Sequence, residues 1–302
     1  MDTDKKAIKL LKTIYKRMKF RIDYRGIHVK SAVEGNQSIR EMILSGNAAM
    51  IARCGATEMR CVEEYLAKGN FSDKIRKEIS ELSGVFPTTD ENLKKFCKFY
   101  IDCTAQADLL ALWGVGAESK VARGLDREKT KFMELTALEP YYFNNPWSAA
   151  LKNKKVLVIH PFANSILKQY RKREKLFEDP NVLPEFSSLE CIQAVQSIAG
   201  QKTEYATWFD ALEHMKKKIS KCDFDVAIIG AGAYSLPLAA YVKQIGKIAV
   251  QMSGSTQILF GIKGKRWEQI SEISKFFNEN WIRPSEDETP KGSTKVEGGS
   301  YW

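Results

Sequence analysis

Asp225-Val-Ala-Ile-Ile-Gly230-Ala-Gly232-Ala-Tyr234-Ser235 is the stretch on which the reading of the fold turns. Val226–Ile229 is a short apolar run bounded by Asp225 and a glycine, the pattern of a strand buried on both faces. Two glycines follow at GxG spacing, and the apolar pattern from Ser235 to Ile245 is that of a helix. Strand, glycine turn and helix in this order form half of a βαβ unit. Gly230 and Gly232 allow a tight turn, and the helix start presents N–H groups and a positive dipole end to an anion. Ser235 stands where the full GxGxxG pattern has its third glycine. Two readings stay open, an anion-binding turn and a turn that only packs helix on strand.

Outward from this turn the pattern repeats. Ile248–Met252 reads as the next strand and ends in Ser253-Gly254-Ser255-Thr256-Gln257. The hydroxyl of Ser255 and the amide of Gln257 suit phosphate or sugar oxygens, unless the loop is a plain turn. A nicotinamide dinucleotide would want Asp or Glu near the end of this strand. None occurs between Val226 and Trp267, whereas Lys243, Lys247, Lys263, Lys265 and Arg266 do. That imbalance favours a diphosphate over a ribose held by a carboxylate. Lys265 and Arg266 lie in a basic, glycine-punctuated turn, either a phosphate contact or a solvated loop. Upstream, strands are expected at Ala48–Ala52, Asp108–Val115 and Val156–Ile159, with helices near 58–68, 72–83, 90–104, 165–177, 208–220 and 267–280. The expectation is an α/β, Rossmann-like fold: a mostly parallel sheet with helices on both faces, plus an N-terminal amphipathic helix. Three regions follow: 1–37 as basic helix and linker, 38–283 as the Rossmann-like domain, and 284–302 as a disordered tail rich in polar residues, Pro and Gly.

The chain has 302 residues, of which 44% are hydrophobic and 28% charged, values that exclude wholesale disorder. No uninterrupted apolar stretch is long enough for a membrane helix. The formal net charge is +10. Residues 1–30 carry ten Lys/Arg against three Asp, or +7, and residues 31–302 carry 37 against 34, or +3. The excess is local, so nucleic acid is not an expected partner. Within 5–21, Ala7, Ile8, Leu10, Leu11, Ile14, Tyr15 and Met18 share one helical arc and the lysines fill the other. Packing of the apolar arc on the domain is the first reading; a peripheral contact of residues 5–21 with anionic lipid is the second. The six cysteines show no CxxC or zinc spacing and read as reduced thiols, which with the lack of a signal-peptide core points to the cytoplasm, with the inner membrane face as the variant.

In open α/β sheets ligands bind beyond the carboxyl ends of the strands. This rule selects Arg53-Cys54-Gly55-Ala56-Thr57-Glu58, directly after the Ala48–Ala52 strand. Arg53 can bind a diphosphate, Gly55 lets a ligand approach the backbone, and Glu58 can bind a metal or sugar hydroxyls or act as a base; a salt-bridged Arg/Glu pair is the alternative. His160, after the Val156–Ile159 strand, is either structural or a phosphate donor and acid/base group. Asp210 is either a first-turn dipole partner or a base for an acceptor hydroxyl, and Glu190 is a weaker base candidate. Trp113, Trp208 and Tyr234 are core residues or stacking platforms.

The Arg53–Glu58 turn resembles the Arg-x-Gly-Asp-x-Glu signature of GT-D-type glycosyltransferases. VLVIHPF (156–162), TWFDAL (207–212), FDVAIIGAGAYSLPLAAYVKQIGK (224–247) and GSTQILFGIKGKRW (254–267) are similar to segments of GT-D fold-like proteins of bacterial surface-polysaccharide biosynthesis. The resemblance implies a glycosyltransferase that moves a sugar from a nucleoside-diphosphate sugar, such as a UDP-sugar, to a glycan or lipid-linked acceptor. It also implies Mn²⁺ or Mg²⁺ held by an Asp-x-Glu pair, of which this chain keeps Glu58 but has Ala56 for the Asp. Either Glu58 holds the metal with diphosphate and water, or Arg53, Lys265 and Arg266 replace it, or transfer has been lost. The last case is a non-catalytic nucleotide- or glycan-binding subunit. Another Rossmann enzyme, such as a methyltransferase, is the remaining alternative.

Overall fold

The computed structural model describes residues 14–296 and 298–302. Among them one sheet is formed by β1 (Val29–Lys30), β2 (Ala49–Arg53), β3 (Leu109–Leu112), β4 (Lys131–Glu134), β5 (Lys155–His160), β6 (Ser188–Gln193), β7 (Val226–Ile229) and β8 (Ile248–Gln251). The spatial order is β1-β4-β3-β2-β8-β7-β5-β6, and every pairing is parallel. The helices are α1 (14–23), α2 (Ala32–Ser45), α3 (Ala56–Lys68), α4 (Asp73–Ser83), α5 (Asp90–Thr104), α6 (Glu118–Gly124), α7 (Ala163–Tyr170), α8 (Trp208–Ile219), α9 (Ser235–Gln244), α10 (Ser255–Leu259), α11 (Lys265–Glu268) and α12 (Ser271–Ser274). The fold is α/β with a parallel sheet, as its alternating apolar runs and helices demand.

Strand periodicity divides the core in two. Ala227 and Ile229 of β7, with Met50 and Ala52 of β2, face a core built with α3, α4, α5, α8 and α9. Val226 and Ile228, with Ala49 and Ile51, face the opposite core, built with α2, α7 and α10. The central strands are thus buried on both faces, which is why they read as unbroken apolar runs. Helix starts follow the side-chain chemistry: Ser72 Oγ accepts from Ile75 N–H and Thr89 Oγ1 from Asn92 N–H.

The chain doubles back twice across the sheet. β2 continues outward to β3 while β8 lies on its other side, and β5 continues outward to β6 while β7 lies on its inner side. The carboxyl ends of β2, β8, β7 and β5 therefore stand together where the winding reverses, the place such sheets offer to a ligand.

Several expectations need correction. The helix expected over 267–280 is broken into α11 and α12, because Ile270 is extended (φ −107°, ψ 103°). The helix expected over 165–177 ends at Tyr170 and is followed by a 3₁₀ turn, Arg173–Lys175. Residues 1–37 hold more than a helix and linker, since β1 joins the sheet and α2 begins at Ala32. Of the expected basic helix over 5–21, residues 5–13 lie outside the described residues. In the described part the apolar arc does not pack on the domain: Ile14, Tyr15 and Met18 are 45%, 67% and 58% exposed. Phe20, from the other side of α1, and Tyr24, in the turn that follows it, make the contact.

Residues 284–302, expected to be a disordered tail, fold back over the carboxyl end of the sheet. Glu288 is buried, and its carboxylate accepts the N–H groups of Asn164 (2.7 Å) and Ser165 and the hydroxyls of Ser165 and Ser285. The Trp302 ring meets Phe162 edge-on, and Val296 is buried. Few apolar residues suffice here because each reaches an existing core. No helix among the described residues is long and apolar enough to cross a membrane.

Candidate functional site

A cavity of about 430 Å³ opens at the gathered strand ends, a size suited to a small organic ligand. Arg53, Gly55 and Glu58 line it after β2, His160 after β5, Gly230 and Gly232 after β7, and Ser255 and Gln257 after β8; Arg266 joins them. The strand-end rule thus brings most of the sequence candidates together.

The β2 turn is built around Glu58. Its carboxylate folds back over Gly55, where a β-carbon would stand 1.9 Å from Oε2. A larger residue there would push the Glu58 carboxylate out of this position. Burial raises the Glu58 pKa, opposed by its own backbone N–H, the Ser83 hydroxyl and the Arg53 charge. Arg53 makes no ion pair among the described residues. Its guanidinium lies 4.5 Å from the centroid of the Trp113 ring, and Nε donates to the Cys54 carbonyl. Stacking holds the cation at the cavity wall without neutralising it. The alternative reading of this turn, a salt-bridged Arg53/Glu58 pair, is not what forms.

His160 is buried, and its Nδ1 accepts the Phe162 N–H at 3.0 Å. Burial lowers its pKa to about 3. The imidazole is therefore neutral at physiological pH and carries its proton on Nε2. This corrects the acid/base expectation near neutral pH: the ring can donate a hydrogen bond but not act there as an acid.

The two glycines of the turn meet different demands, packing at Gly230 and backbone conformation at Gly232. Gly230 is enclosed, for a β-carbon would lie 2.5 Å from Ser253 O, 2.6 Å from Thr256 Oγ1 and 2.7 Å from His160 Cδ2. Gly232 has φ +56°, and a β-carbon there would meet only Ser83 O, at 3.9 Å. Ser235, in the third-glycine place, accepts the Ala231 N–H on its hydroxyl at 2.6 Å. One N–H of the turn is thereby used internally. At the end of β8, Gln251 takes the place where a dinucleotide site has a carboxylate; its Oε1 accepts Arg53 N–H and its Nε2 donates to Ser253 Oγ. Ser253 itself adopts φ +54° at the cavity wall.

Four candidates lie elsewhere. Asp210 forms a capping box with Thr207, whose N–H and hydroxyl it accepts at 2.8 Å each, and does not line the cavity. Tyr234 stacks on Trp208 inside the core (centroids 4.9 Å apart, 8° between planes), and its hydroxyl meets Ser197. Lys265 turns to the folded-back segment, donating from Nζ to Gly298 O and from its backbone to Trp302 O. Glu190, on the edge strand β6, is also absent from the cavity wall.

Other residues complete the site. Glu139 lines the cavity and accepts the Ser255 hydroxyl at 2.7 Å. Burial raises its pKa, while Arg53 and Arg266 pull it down. Gln196 Nε2, Gln257 Oε1 and Trp267 Nε1 are buried without a partner among the described residues, and all three residues line the cavity. Such orphans are costly unless a ligand or water answers them. Val296, Tyr301 and Trp302 of the folded-back segment close one side.

Ala56 lines the cavity beside Glu58, and no group of three or more His, Cys, Asp or Glu among the described residues gathers to hold a metal. Glu58 and Glu139 are the carboxylates of the wall, a sparse set for Mn²⁺ or Mg²⁺ without further oxygens from diphosphate and water. What the wall does offer an anion is Arg53, Arg266, the His160 donor and uncommitted polar atoms. No family model, curated protein or solved structure matches the chain.

Proposed function

We propose that the cavity binds a nucleoside-diphosphate sugar and transfers its sugar to a hydroxyl of a cell-surface glycan acceptor, without a resident metal. The observation that carries the reading is a cavity wall that holds Arg266 and a stacked Arg53 with no ion pair among the described residues, together with buried Gln257, Gln196 and Trp267 atoms that have no partner among them. In this reading Arg53 and Arg266 hold the diphosphate and stabilise the charge that grows on it as the sugar–phosphate bond breaks. The neutral His160 adds a donor. The orphaned amide and indole groups take sugar and ribose hydroxyls, and Glu58 orients the sugar. Glu139 takes the proton of the acceptor hydroxyl as the new glycosidic bond forms and the diphosphate departs with the bonding pair. Its raised pKa suits a base better than an ordinary surface carboxylate would.

Ala56 in the cavity wall favours a second reading, a binding subunit that holds the same donor without turnover. A thermal-shift panel of UDP-, GDP- and dTDP-sugars tests the shared premise. Stabilisation by at least one is expected, and by none would contradict both readings. Turnover then separates them. If transfer occurs, Glu139→Gln should lower it by about 10²–10⁴-fold with donor binding intact; an unchanged rate would remove Glu139 from the chemistry.

A further inference from the structure

The described part of α1 shows an apolar stripe to solvent. Ile14, Tyr15, Met18 and Ile22 are 45%, 67%, 58% and 68% exposed. At about 100° per residue they share a sector of about 100°. Arg17 and Arg21 fall on one shoulder of that sector and Lys19 on the other, all three exposed. Phe20 points the opposite way and packs on the domain core with Tyr24. The helix is thus fastened by its polar-flanked inner side and leaves its apolar stripe uncovered.

Its anchorage leads to the cavity. The Phe20 ring lies 3.5 Å from where a β-carbon on Gly114 would stand. The Tyr24 hydroxyl donates to Glu118, whose carboxylate also accepts the N–H groups of Trp113 (2.9 Å) and Gly114 (2.8 Å). Trp113 is the ring beneath Arg53 in the cavity wall.

We infer that α1 lies on an anionic lipid surface, with Ile14, Tyr15, Met18 and Ile22 in the interfacial layer and the flanking basic residues on the lipid headgroups. Apolar burial and attraction to anionic headgroups act together on a helix of this pattern. The net +7 of residues 1–30 complements that surface and opposes pairing with a second copy of the same helix. The docking stands whether or not the donor reading holds, because its test reads lipid binding and not turnover.

The test is co-sedimentation of the full chain with phosphatidylcholine vesicles, with and without phosphatidylglycerol. Binding should require phosphatidylglycerol and weaken with salt. Met18→Asp with Ile22→Asp should reduce the bound fraction by on the order of tenfold or more, and each of Arg17→Glu and Arg21→Glu by about fivefold or more. These side chains are exposed, so far-UV circular dichroism should be unchanged. Equal binding to both vesicle types, or binding that survives the apolar double variant, would overturn the inference. So would absence of vesicle binding together with a dimer that the double variant dissociates, which would assign the stripe to a second copy.

Discussion

A β-carbon at Gly230 would stand 2.5 Å from the Ser253 carbonyl, a backbone atom that cannot swing away, and against the His160 ring. At Gly232 there is room, but φ is +56°. The two positions need glycine for unrelated reasons, packing at one and backbone conformation at the other. Gly230→Ala is therefore expected to destabilise by about 1–3 kcal/mol through overpacking. Gly232→Asn, whose side chain tolerates the left-handed region, should be milder than Gly232→Ala. Chemical denaturation of the three variants checks this; equal losses for Gly232→Asn and Gly232→Ala would show that conformation is not what Gly232 supplies. His160 adds a pH signature. Its pKa is about 3 in the folded chain against an ordinary 6.5. Between these values the unfolded chain binds the extra proton, so this residue's share of stability is full above about pH 6.5 and falls by about 1.4 kcal/mol per unit as pH drops towards 3. Moving from about pH 7 to about pH 5 should then cost the parent about 2 kcal/mol more than His160→Gln. Parallel losses would mean that His160 is not held neutral by burial.

The folded-back segment shows how one buried carboxylate can order an element. Glu288 sits at the start of α7, collecting two backbone N–H groups and two hydroxyls. Charge-assisted bonds at a helix N-terminus are stronger than neutral ones. Glu288→Ala should free residues 284–302 and raise their amide exchange, while the β5 and β7 amides stay protected. Unchanged exchange in the segment would place its order in Val296 and Trp302 instead. The sheet elements differ in how far composition revealed them. β7 matches its apolar run, Val226–Ile229, to the residue, and β2, β5 and β8 lie within a residue of theirs. β1 has two residues, and β4 alternates exposed ends with a buried pair, so neither makes a run. β6 alternates because it is an edge strand. The same blindness reached the site. Arg53, Gly55, Glu58 and His160 follow legible strands and were selected by that rule. Glu139 and Gln196 follow β4 and β6, strands with no such run, and so carried no signal. Asp210 was misleading because a capping carboxylate and a catalytic one look alike until their partners are seen.

At the scale of the whole molecule, two reversals of winding bring four strand ends together, and the folded-back segment walls one side of the cavity they form. The charge that composition reports as a single excess is divided by the fold. One part lies along α1, at the surface. Another is the acid-free stretch from Val226 to Trp267, which contributes Arg266 to a cavity that Arg53 enters from β2. In the proposed function these two arginines, and not a divalent cation, hold a donor diphosphate. Isothermal titration of the stabilising nucleotide sugar, in EDTA and in Mn²⁺, with the parent and with Arg53→Ala, tests it most directly. The account predicts the same affinity in both media and a loss of on the order of tenfold to a hundredfold in Arg53→Ala. Binding that appears only with Mn²⁺, or that survives Arg53→Ala undiminished, would contradict it.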